Sequence, residues 1–160
     1  SQNHNWGARH TDHYAWGQVA GFDDAPGAFL ELATARLRLG PLWSPFMTPV
    51  VFRLDGREYA MNSLARSLRK GSFDFFTWRF RAQGPELSLE GTISAEARDF
   101  VGLTYRNPPG GTRTCLNSKI ARCDLVVTYA DGRTRALRTA HRAAFEILTE
   151  DGGHGVEIQA

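Results

Sequence analysis

The chain has 160 residues, 42% hydrophobic and 22% charged, with a formal net charge of +2. This is the length and balance of one globular domain over residues 1–160, and it excludes a disordered or collagen-like chain. A near-neutral charge with arginines spread along the chain argues against a nucleic-acid partner, and no run approaches the roughly 18 apolar residues of a membrane-spanning helix.

The N-terminal stretch shows no secretory leader, and the sole cysteines, Cys115 and Cys123, lack the CxxC spacing of redox or zinc sites. Two free thiols and a reducing, cytoplasmic compartment are the expectation. The sequence opens on Asn3-His4-Asn5-Trp6-Gly7, with His10, Asp12 and His13 close behind. Their spacing fits no metal motif, so no metal is predicted. A glycine at a bend, with amides to satisfy freed backbone groups, reads as a rim element where the first strand enters the fold.

From there the sequence is punctuated by 16 Gly and seven Pro, with period-two alternation between them. In "YAWGQVAGF", Tyr14, Trp16, Gln18, Ala20 and Phe22 share one face. "FLELATARLRL" fits a strand or a helix; as a strand it sets Glu31 on a face with Phe29, Ala33 and Ala35, where apolar neighbours raise a carboxyl pKa towards that of a general acid. "VVFRL" and "REYAM" flank Asp55-Gly56, a two-residue type I′ turn, and "DLVVTYADGRTRAL" repeats the device at Asp131-Gly132.

"FDFFTWRFRA" reads as one strand, with Phe76, Trp78 and Phe80 on one face and Phe73 and Phe75 on the other. One of those faces packs the core or lines an apolar cavity. "ELSLEGTIS" and "DFVGLTYRN" follow as half-buried strands, and "LRTAHRAAFEIL" fits a short helix or a strand. His141 and His154 read as surface or turn residues. "NSL" at 62–64 and "NSK" at 117–119 carry no nucleophile signature. The pattern predicts an all-β antiparallel barrel or sandwich of about eight to ten strands.

Several of these segments, in order, resemble the C-terminal half of the tocopherol cyclase, carotenoid 1,2-hydratase and AttH-like superfamily. The likeness lies in "NHNWGARHTDHYAWGQVAGFDD", "VVFRLDGREYAM", "WRFRAQGPELSLEGTIS" and "GLTYRNPPGGTRTCLNSKIARCDLVV". It implies a lipocalin-like (calycin) barrel that holds a large hydrophobic molecule of isoprenoid, carotenoid or polyketide type. Activity would be a cofactor-independent cyclisation, hydration or isomerisation, or else non-catalytic carriage or an interaction role. On this reading Glu31 or His4 supplies the proton, and Asn5, Trp6, Trp16, Gln18, Phe76, Trp78 and Asn117 contact the ligand. Asn3 departs from the hydratase-like pattern, which has Asp before its His-Asn-Trp-Gly. Family members pair two lipocalin-like halves, so the resemblance also implies a homodimer or a second such domain.

Overall fold

The computed structural model describes residues 13–106 and 111–159; His4, Asn5 and Trp6 lie outside the described residues. Twelve strands are described: β1 (Tyr14–Phe22), β2 (Ala25–Ala35), β3 (Arg38–Leu39), β4 (Leu42–Trp43), β5 (Val50–Leu54), β6 (Arg57–Met61), β7 (Gly71–Asp74), β8 (Thr77–Gln83), β9 (Leu87–Ser94), β10 (Val101–Arg106), β11 (Thr112–Tyr129) and β12 (Thr134–Thr149). A single helical turn, α1 (Leu64–Ser67), and a 3-10 turn (Ala97–Asp99) complete them. Among the described residues no helix is long and apolar enough to cross a membrane.

The fold is all-β and antiparallel. Ten strands form one sheet in the order β6-β5-β2-β1-β12-β11-β9-β8-β7, with β10 paired to the N-terminal half of β11; β3 and β4 make a separate two-stranded hairpin. The sheet curls until its ends face one another. Trp78 Nε1 on β8 donates to Thr34 Oγ1 on β2 at 3.0 Å, and Thr34 Oγ1 lies 2.9 Å from Thr48 Oγ1. Met47 bridges β2 at Ala35 and the chain before β7 at Leu68. The two end strands, β6 and β7, do not pair, so the hydrogen-bonded path stays open rather than closing as a barrel.

Alternation decides which side chains fill the curl. Ala15, Val19, Leu30, Leu32, Phe52, Trp78, Phe80, Leu89, Ile93, Leu125 and Phe145 point inward and are buried, while their neighbours point out. Glycines let the layers approach: a Cβ at Gly91 would stand 2.6 Å from Phe80 Cζ and 3.0 Å from the Asp124 carbonyl oxygen.

The Asp55-Gly56 turn forms as predicted, with φ of 50° and 78°. Asp131-Gly132 differs. Only Gly132 has positive φ there (86°), and the connection runs over residues 130–133, with Asp131 accepting from the Arg133 N–H at 3.0 Å. "FDFFTWRF" is a hairpin rather than one strand, breaking at Phe75-Phe76 with Phe76 at φ 73°. A bulky residue in that region is uncommon and strained, and neither of the two central positions is a Gly, Asn or Asp, Asp74 only preceding them. Phe22 also departs from its predicted face. Gly21, at φ 96°, sits in a register shift between Ala20 and Phe22 that turns the Phe22 ring into the core. Both ambiguous segments are strands, β2 and β12. His154 is buried, not superficial, accepting from the Val156 N–H at 3.0 Å.

Candidate functional site

Register gathers a set of polar and aromatic residues on the outward face of β2, β1, β12, β11 and β10. Trp16 lies opposite Glu146, Glu146 opposite Asn117, and Asn117 opposite Val101. The next row is Tyr14, Leu148, Cys115 and Leu103, and beyond Trp16 on the other side Gln18 pairs with both Ala144 and Glu31. Ala15, Leu116 and Ile147, which lie between the rows, fill the interior; of the rows themselves Trp16, Glu146, Asn117 and Tyr14 are half-buried, while Leu148 and Cys115 are buried.

Glu146 is the centre of this face. Its Oε1 accepts from the Tyr14 hydroxyl at 2.5 Å and its Oε2 from Asn117 Nδ2 at 2.9 Å. Lys119 Nζ stands 5.9 Å from the centroid of the Trp16 ring, within the range of a cation–π contact. Burial, and after it the Glu146 carboxylate, holds the Tyr14 phenol far above its ordinary pKa. The same two causes push the Cys115 thiol up to about 12. Both groups therefore stay protonated at neutral pH, and neither is poised as a nucleophile. What the arrangement offers is recognition: an amide with one N–H still free and a carboxylate with lone pairs to spare, beside the half-buried Trp16.

The predicted residues separate into three groups. Trp16, Gln18 and Asn117 come together on this face, and Glu31 lies on it across one strand from Gln18. Glu31 shares its face with Phe29, Ala33 and Ala35 as expected, but this is the half-exposed outward side; Leu30, Leu32 and Thr34 take the interior. Trp78 and Phe76 lie elsewhere. Trp78 is 0% exposed and stacks on Phe145, and Phe76 packs at the β7–β8 turn against Phe100, with ring centroids 5.1 Å apart. His4, Asn5 and Trp6 are outside the described residues.

Glu146, Tyr14, Cys115 and Lys119 were not among the site residues expected from the sequence. Reading "AAFEIL" as a strand puts Glu146 between Ala144 and Leu148, the same argument that drew attention to Glu31. Among the described residues no three His, Cys, Asp or Glu stand together as metal ligands. The chain matches no family model, no curated protein and no solved structure.

The thiols make a prediction of their own. Cys115 and Cys123 are free, eight positions apart on one strand, so roughly 25 Å separates them and no bridge can form between them. Burial first, and then Asp124, pushes the Cys123 thiol up to about 12 as well. Below the ordinary thiol value of 9.0, both states keep these protons and stability does not depend on them. Above it the unfolded chain releases protons that the folded chain holds, so stability falls as pH rises towards 12. The midpoint of urea unfolding is expected to decline steadily between about pH 9 and 11, and Cys123→Ala to flatten that decline. A midpoint constant across the interval would show the thiols ionising alike in both states.

Proposed function

We propose that this chain is a lipocalin-like domain, akin to the tocopherol cyclase and carotenoid 1,2-hydratase superfamily, that binds a large hydrophobic small molecule. The observation that carries the reading is the Tyr14–Glu146–Asn117 chain beside Trp16. A carboxylate with two fixed donors, on a half-buried aromatic and aliphatic face, suits an apolar molecule bearing one hydroxyl or carbonyl. The interior is occupied by Trp78, Phe80, Phe145 and their neighbours, which favours the outward face over the curl as the place of binding. A hydroxylated ligand donates to Glu146, and a carbonyl ligand accepts from the second N–H of the Asn117 amide, the Tyr14 hydroxyl already donating to Glu146.

On this reading the domain is first a binder. Cyclisation, hydration or isomerisation further requires a proton donor at the ligand, the part assigned to Glu31 or His4. Native mass spectrometry of the freshly purified chain, with an organic extract of the same sample, is expected to show one hydrophobic adduct per chain. Trp16→Ala is expected to strip most of it while leaving the unfolding midpoint nearly unchanged. An adduct retained in full by that variant would move the site away from this face.

A non-catalytic interaction domain is the second reading, favoured by β10. Val101 and Leu103 are each 38% exposed and Tyr105 43%, and they extend the same face to the sheet's margin. Sedimentation of the purified chain as a dimer that Leu103→Asp dissociates would favour it.

A further inference from the structure

The other half of the sheet carries a feature the ligand reading does not use. On the outward side of β7, β8, β9 and β11 runs a groove of about 600 Å³ lined by Arg69, Lys70, Ser72, Arg79, Arg81 and Thr92, with Glu90 and Asp124 also in its lining. It shares Arg69 and Gly71 with a neighbouring cleft of about 530 Å³ floored by Phe46 and Trp43. Register explains the convergence. Ser72 lies opposite Arg79, Arg79 opposite Thr92 and Thr92 opposite Asp124, while the Arg81 N–H donates to the Lys70 carbonyl at 2.7 Å.

The charges in this groove do not cancel. Glu90 is held by Arg81 at 2.9 Å, and Asp124 by Arg122 at 2.8 Å and Arg138 at 3.3 Å. Among the described residues, that leaves Arg69, Lys70 and Arg79 without an ion pair to a carboxylate; Asp74, farther along β7, pairs with none of them. Arg69 is moreover fixed in an unusual backbone conformation, φ 54°, with its N–H on the Phe46 carbonyl at 2.8 Å. A non-glycine residue there is strained, and such strain gathers at functional positions.

We propose that this groove binds a small anionic ligand carrying a phosphate or diphosphate group, held by Arg69, Lys70 and Arg79 with the Ser72 and Thr92 hydroxyls beside them. Three surplus cations and two hydroxyls match a multiply charged oxyanion; a single carboxylate is satisfied by one arginine. A single-stranded nucleic acid requires open aromatic platforms. Phe80, in the groove's lining, is buried, and Trp43 and Phe46 of the adjoining cleft already have the Arg36 guanidinium 4.7 and 5.7 Å from their centroids, so the site fits a compact ligand whose body reaches that cleft.

The test is a calorimetric titration of the full chain with inorganic pyrophosphate at low ionic strength. Lys70→Gln/Arg79→Gln is compared with a charge-matched control, Arg98→Gln/Arg133→Gln, whose residues are exposed, lie outside the groove and already pair with Glu96 and Asp131. Saturable binding of one pyrophosphate, weakened on the order of tenfold or more in the groove variant and unchanged in the control, is the expected result. No saturable binding, or equal weakening in both variants, overturns the proposal, since net charge alone would then account for the effect. Phosphatidylcholine vesicles with and without phosphatidic acid separate the sources. Tighter binding to the phosphatidic acid vesicles than to pyrophosphate assigns a lipid headgroup, and the reverse order assigns a soluble phosphoester.

Discussion

Trp78→Ala is expected to destabilise the protein by about 3–5 kcal/mol, the range for removing a large aromatic from a packed core. The indole is 0% exposed, stacks on Phe145 at 6.0 Å between centroids and touches Phe80 at 5.9 Å. A Cβ built on Gly17 would stand 2.9 Å from its Cζ3, so the β1 backbone lies directly against the ring. Its Nε1 also ties β8 to Thr34 on β2, across the open path of the sheet. Deleting the ring therefore leaves a cavity at the point where the curled ends meet. Trp78→Phe removes the hydrogen bond but keeps most of the contact, and Thr34 retains Thr48 as a partner, so its cost is expected to be less than half as large. Urea midpoints of the two variants check this. A Trp78→Ala protein of near-parental stability that had lost its hydrophobic adduct would instead make Trp78 a wall of the ligand site.

That contrast bears on what the sequence could reveal. "ELSLEGTIS" reads as a half-buried strand because its alternation puts Leu87, Leu89, Gly91 and Ile93 on one face, and those residues are buried together in β9. Asp55-Gly56 announced its turn because positive φ at both positions leaves few other residues to choose. The aromatic segment hid its turn because Phe75-Phe76 carries none of the usual turn chemistry; its conformation follows from tertiary packing, with Phe75 against His154 and Phe76 against Phe100. Phe22 was misplaced because a bulge at Gly21 shifts the period by one residue, and a single glycine in a strand does not say whether it marks a bulge. The site was half legible for a similar reason. Trp16, Gln18, Glu31 and Asn117 belong to one face, but Glu146 reaches them only through the pairing of β12 between β1 and β11. The β1–β12 contact joins residues more than a hundred positions apart, which no local pattern records.

Glu146 is also where the second large effect is expected. Glu146→Ala leaves the Tyr14 hydroxyl and the Asn117 amide, both part-buried donors, without their acceptor, at a cost of about 1–2 kcal/mol. Glu146→Gln behaves differently. Its amide oxygen still accepts from Tyr14, and if Asn117 turns its own amide over, the new Nε2 donates to the Asn117 oxygen. The hydrogen bonds are thereby restored and the fold kept, while the charge is gone. Two readouts follow from the charge alone. The Cys115 thiol, pushed up to about 12 by burial and then by this carboxylate, is expected to fall, so that alkylation at alkaline pH quickens. Affinity for the molecule recovered in the organic extract is expected to drop about tenfold in the Gln variant, because a ligand hydroxyl then meets a neutral acceptor. The Ala variant is expected to lose more, since it removes the acceptor and loosens Tyr14 as well. Faster alkylation with unchanged affinity would mean that the carboxylate orders its neighbours without touching the ligand, and the polar anchor would then pass to Lys119 or Gln18.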